Sequence, residues 1–173
     1  MQKSIALLFS SILALSVVAC DNAAKTSSEA PDSAATSPTN IDVDKPAAQT
    51  NQNDATGEIR RKQLNADIRA REQRNKAIGD ESVRADGDLK SEVRSKLEAN
   101  LPASTLAVDA KEGAVTITGK VVDEKQLQKV EPLAKQIKGV KSVNVTATVN
   151  TAIKPEPAKP GTSNPIKTQT NAQ

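Results

Sequence analysis

Few side chains in this sequence are able to do chemistry. The 173 residues include one Cys, Cys20, and one Phe, Phe9, and there is no His, Trp or Tyr. A zinc site built of Cys and His is thereby excluded, as are Ser-His-Asp and Cys-His nucleophilic arrangements and base stacking on aromatic platforms. Carboxylates and lysines remain. Two acidic pairs, Asp86/Asp88 and Asp123/Glu124, stand at the predicted starts of helices, where they complement the positive end of the helix dipole. That placement accounts for them without catalysis, so no catalytic residue, metal or cofactor is expected. Lys125, Lys129, Lys135, Lys138 and Lys141 gather along and just beyond the second of these helices. At 3.6 residues per turn they do not share one face. Lys135, Lys138 and Lys141 are the candidate contacts to an anionic surface. The net charge of +3 is unevenly spread, −4 over residues 21–56 and +3 over residues 57–85, but no segment is basic enough to demand nucleic acid.

The elements that position these residues follow from apolar spacing. Leu89, Val93 and Leu97 recur at helical intervals, Asp88 is a candidate cap, and Pro102 stops the run. Leu106 and Val108 then alternate with polar neighbours, Lys111-Glu112-Gly113 turns the chain, and Val115, Ile117 and Val121 continue the period of two. That predicts a hairpin with one buried face. A second helix opens at Asp123-Glu124 with Leu127, Val130, Ala134 and Ile137 inward and Gly139 as terminator. Pro132 inside it predicts a kink or a late restart. Val143, Val145, Ala147 and Val149 alternate strictly with polar residues and predict the last strand.

Around this unit, residues 57–80 read as a charged helix with a thin apolar stripe, Leu64 and Ile68, and an intrahelical pair of Asp67 with Arg71. Residues 20–56 are rich in Ala, Ser, Thr, Asn and Asp and are expected to be a disordered tether. As a flexible coil that tether would span roughly 30 to 36 Å. Residues 151–173, with four Pro, are expected to be a disordered tail.

Residues 1–19 have the order of an export signal, with Lys3 followed by an apolar run from Ile5 to Val18 that is short and Ser-rich for a membrane span. Val17-Val18-Ala19-Cys20 resembles a bacterial lipobox, with cleavage after Ala19 leaving Cys20 to be acylated. Several acyl chains hold a protein on a bilayer, whereas one is marginal. The reading is a lipid-anchored protein of the cell envelope facing the periplasm, and Asp21 resembles an inner-membrane retention signal of Gram-negative lipoproteins.

The order helix, hairpin, helix, strand over residues 86–150 resembles the BON domain family (bacterial OsmY and nodulation). The likeness is carried by Gly113-Ala114-Val115-Thr116-Ile117-Thr118-Gly119-Lys120-Val121, similar to the family's G-x-V-x-L-x-G-x-V, and by Gly139-Val140-Lys141-Ser142-Val143, similar to its G-V-x-x-V. The resemblance implies an α+β fold of αββαβ order, a three-stranded sheet packed by two helices, with Gly113, Gly119, Gly139, Val140 and Val143 as structural motif residues. It also implies a non-enzymatic module that binds phospholipid or an envelope protein and supports envelope integrity or osmotic stress tolerance. A potassium or small-ligand sensor is the second reading, because one type of BON-containing relative is linked to potassium.

Overall fold

The computed structural model describes residues 22–35, 44–78 and 84–156. In chain order the elements are β1 (Ala24–Lys25), α1 (Lys45–Thr56), α2 (Glu58–Ile78), α3 (Asp86–Asn100), β2 (Thr105–Lys111), β3 (Ala114–Val121), α4 (Glu124–Lys135), β4 (Ser142–Val145) and β5 (Thr148–Val149), closed by a 3-10 turn at Thr151–Ile153. From α3 to β5 this is the α+β arrangement expected from the alternation of periods.

The β2–β3 hairpin turns on Glu112 and Gly113, whose φ values of 53° and 88° are those of a two-residue primed turn. Its register runs from Lys111 opposite Ala114 to Thr105 opposite Lys120. β4 and β5 both lie parallel to β3, with Ser142 opposite Ala114 and Val149 opposite Val121. The expected single last strand is interrupted at Thr146 and Ala147 while its register is kept. The Thr146 N–H still donates to Ile117 O at 2.9 Å. The interruption faces Gly119, whose φ of 123° breaks the regular ladder. A Cβ there would run into the Thr105 carbonyl oxygen of β2, so only glycine fits.

One face of the sheet carries the core. Leu106, Val108, Val115, Ile117 and Val121 meet Leu89, Val93 and Leu97 of α3 and Val130 and Ala134 of α4, all at most 1% exposed. At about 25 cal/mol per Å² of apolar surface, these aliphatic side chains supply most of the driving force. α4 runs unbroken through Pro132 to Lys135; the expected restart does not occur. Pro132 is exposed and removes one hydrogen bond on the solvent side. Asp123 caps α4 by accepting from the Gln126 N–H at 2.9 Å, and this bond holds its carboxyl below the usual range. Asp88 is not the cap of α3. The N-cap position is Ala85, and Asp88 lies in the first turn as an ion-pair partner.

The N-terminal region departs most from expectation. Residues 20–56 were expected to be a tether, yet β1 pairs antiparallel with the edge of β2, Ala24 opposite Val108 and Lys25 opposite Ala107. Ala23 and Ala34 pack on Ala107, on the sheet face opposite the core. The hairpin therefore has cover on both faces and the sheet gains a strand. α1 is capped by Asp44 and seats Ala48 against Ala103 and Val122. The physical reason is that backbone pairing and close alanine contacts need no bulky side chain, so a polar, Ala-rich segment can dock where an edge strand offers unpaired groups. At the other terminus, Glu156 bonds to α1 through its N–H to Gln49 Oε1 at 3.0 Å and its carbonyl from Gln52 Nε2 at 3.2 Å. Residues 151–156 of the expected disordered tail are therefore ordered, and residues 157–173 lie outside the described residues.

Candidate functional site: a cationic cleft beside the hairpin turn

α2 docks on α3. Leu64 is 2% exposed, and the docking is otherwise polar, because α3 presents Glu92, Ser95 and Glu98 at three-residue steps away from the sheet. Glu98 takes Arg60 Nε at 2.6 Å and Arg94 at 2.8 Å, and Ser95 Oγ donates to Asp67 at 3.1 Å. Arg71 reaches Asp88 at 2.6 Å and the expected partner Asp67 at 3.3 Å. Apolar periodicity alone did not reveal this face, since its groups are charged.

Past the end of α2 the chain returns at Arg84, whose guanidinium is 1% exposed and paired with Glu92, itself 0% exposed. Burial pushes the Glu92 carboxyl above its ordinary value, and the charge of Arg84 opposes that rise. Arg84 Nε and Glu92 Oε2 have no hydrogen-bond partner among the described residues. The stem of Arg84 lies over Gly139, where φ is 92°, and a Cβ on Gly139 would stand 2.9 Å from Arg84 Cγ. Gly139 is thus not the terminator of α4, which ends at Lys135 with Gln136 as its cap; it lies in the following turn and makes room for the buried arginine.

Arg84 opens into a cleft of about 250 Å³ lined by Arg69, Glu72, Gln73, Lys76, Arg84 and Lys138. Arg84 is committed to Glu92, so the rest of the lining sets Arg69, Lys76 and Lys138 against Glu72, a cationic balance that favours an anion. Arg69, Gln73 and Lys76 come from α2, Lys138 from the turn after α4. Sequence reasoning singled out Lys138 but not Arg84 or the α2 residues. The available signal is the set of six Arg from Arg60 to Arg84, which marks a cationic stretch without showing which of them is buried.

The other sequence-predicted residues are distributed as follows. Gly113 adjoins Gly139: the Lys141 N–H donates to Gly113 O at 2.8 Å, and Lys141 itself is exposed over the turn. Val140 and Val143 pack partly buried on the core. Lys135 sits on the exposed side of α4, paired with Glu131 at 2.6 Å. The structure thus brings Lys138 and Lys141 to the hairpin-turn end and leaves Lys135 on the flank. Ala19 and Cys20 lie outside the described residues. Among the described residues no group of three or more His, Cys, Asp or Glu is placed to hold a metal ion, and no helix is long and apolar enough to cross a membrane.

The fold is a small α+β module with a cationic cleft beside the hairpin turn. Residues 85–151 match the family model of the BON domain, and over that segment the chain carries this domain. BON domains are associated with membrane or phospholipid binding in the cell envelope and with osmotic stress, and are generally non-enzymatic binding modules. No curated protein and no solved structure matches the chain.

Proposed function

We propose that this chain is a non-enzymatic envelope lipoprotein, cleaved after Ala19, acylated on Cys20 and facing the periplasm, whose BON domain binds anionic phospholipid and so supports envelope integrity under osmotic stress. The observation that carries the reading is the cleft in which buried Arg84 stands with Arg69, Lys76 and Lys138. A phosphodiester headgroup is a small oxyanion that matches such a set, and each cation near an anionic surface contributes about 1 kcal/mol. The acyl chains supply the address, and the cleft supplies the preference for anionic lipid.

The test is co-sedimentation of the non-acylated mature chain, beginning at Asp21, with vesicles of phosphatidylcholine alone or with phosphatidylglycerol. Binding is expected only to the anionic vesicles and is expected to fall with salt. Triple charge reversal at Lys76, Lys138 and Lys141 is expected to weaken it by roughly a hundredfold or more, from about 1 kcal/mol per cation. Equal binding to both vesicle types, or a triple variant that binds as well as the parent, would overturn the reading.

A further inference from the structure

The membrane anchor and the folded domain are joined by much less chain than the tether of residues 20–56 implies. Ala24 and Lys25 add a strand to the β2 edge. Thr26 extends the attachment: its N–H donates to Leu106 O at 2.9 Å, while its Oγ1 donates to Ser104 O at 3.0 Å and accepts from the Leu106 N–H at 2.8 Å. Lys90 Nζ of α3 donates to Asn22 O at 3.0 Å. The chain is fastened from Asn22 onward, and only Asp21 separates Asn22 from Cys20. Two residue steps reach about 7 Å when fully extended.

The direction of that short lead is set by strand pairing. β2 runs toward the hairpin turn, and β1 is antiparallel to it, so the chain traced back from Lys25 to Asn22 heads for the turn end of the domain. That end holds Lys111, the turn itself, Gly139, Lys141 and the cleft of Arg84 and Lys138. β4, which Lys141 immediately precedes, lies three strands from β1, about 14 Å away at roughly 4.8 Å per strand. The opposite end carries the start of α4, where Gln126 Nε2 donates to Pro102 O at 3.1 Å.

We infer that the strap of residues 22–26 fixes the orientation of the domain on the membrane, with the hairpin-turn end, Lys111, Lys138 and Lys141 included, held against the anionic headgroups of the bilayer that holds the anchor. The inference rests on the acylation of Cys20 proposed above. The strap converts a long flexible reach into a short directed one. The cleft is thereby presented to headgroups at high local concentration, and the α4 N-terminus points away from the membrane.

The test uses the full chain, matured in cells and reconstituted into phosphatidylcholine vesicles, where the cleft has no anionic headgroup to hold and the strap alone sets the orientation. Acylation consumes the thiol of Cys20, so an introduced cysteine at the exposed positions Lys111→Cys or Lys125→Cys takes a fluorescent donor alone, with a headgroup-labelled lipid as acceptor. Energy transfer from position 111 is expected to exceed that from position 125 by about twofold or more, since a seven-residue strand separates the two ends by roughly 20 Å. Adding Ala24→Pro, which removes a strand N–H, is expected to bring the two signals together while circular dichroism shows the domain still folded. Equal transfer at both positions, or an asymmetry that survives Ala24→Pro, overturns the strap orientation in a chain whose mass spectrum carries the acyl groups, and leaves the proposed function standing. A mass spectrum with an unmodified Cys20 overturns both.

Discussion

Between Asp86 and Val149 the helices and sheet are held by aliphatic side chains at most a few per cent exposed, Leu89, Val93, Leu97, Leu106 and Ile117 among them. Between Asn22 and Ile78 the contacts are of another kind: alanines (Ala23, Ala34, Ala48), two residues of strand pairing, one buried leucine and a ladder of ion pairs onto α3. Non-directional burial of bulky side chains makes the first region a stable unit. The second depends on partners: an edge strand with open hydrogen-bonding groups, and carboxylates on α3 that need cations. The module supplies a surface, and the N-terminal region is shaped by it.

The largest effect expected of a single change lies within the module. Gly119→Ala places a Cβ against the Thr105 carbonyl at a φ of 123° and is expected to cost more than about 3 kcal/mol, or to prevent folding, because strain and clash act together. Urea denaturation of the full chain reads it. A cost below 1 kcal/mol would show that β2 and β3 can separate there.

Next is the joint between the two regions. Arg84→Met leaves Glu92 buried without its cation and is expected to cost roughly 3 to 5 kcal/mol near neutral pH, as when one partner of a buried pair is removed. The pH dependence sharpens this. Burial raises the folded carboxyl above its value of 4.5, so the folded chain holds that proton better than the unfolded one. The corresponding stability is full below pH 4.5 and is lost as pH rises through the folded value. Arg84→Met is therefore expected to regain stability on acidification, and Glu92→Gln to remove this contribution to the decline. Denaturation midpoints at pH 4 and pH 7 for both variants decide it, and an Arg84→Met cost independent of pH would refute the account.

Smaller again is Leu64→Ala on α2, expected to cost about 2 to 3 kcal/mol as a buried leucine truncation. A solvated, undocked helix would lose nothing, since alanine has the higher helix propensity, so the same measurement separates docked from free. The smallest is Asp123→Ala, which removes the side-chain cap of α4 and is expected to cost about 1 kcal/mol. A much larger loss would mean that its ion pair with Lys154 at 3.4 Å does more than an exposed pair ordinarily does.

The legible part of this molecule is the part whose signals are local. The positions of Leu89, Val93 and Leu97, the alternation through Val108 and Ile117, and Gly113 just before the second strand of the hairpin each follow from a few neighbouring residues. Pro132 misled because a proline on the exposed side of a short helix removes one bond without breaking the turn. Arg84 carries no signal of its own within the six Arg of residues 60–84, since nothing local distinguishes a buried arginine from the exposed ones before it. The last strand was legible as a pattern but not as two pieces, because its interruption is imposed by Gly119 on the neighbouring strand.

By itself the sequence determined the αββαβ order, the inward faces of its elements and the exclusion of aromatic and histidine chemistry, because period and composition are properties of the chain alone. Only the tertiary structure decided that α2 lies on α3, that Arg84 and Lys138 share a cleft, and that the chain is fastened two residues after Cys20. Those depend on which unpaired backbone edge and which buried carboxylates the folded module presents, and residues so far apart in sequence meet only after the core has formed.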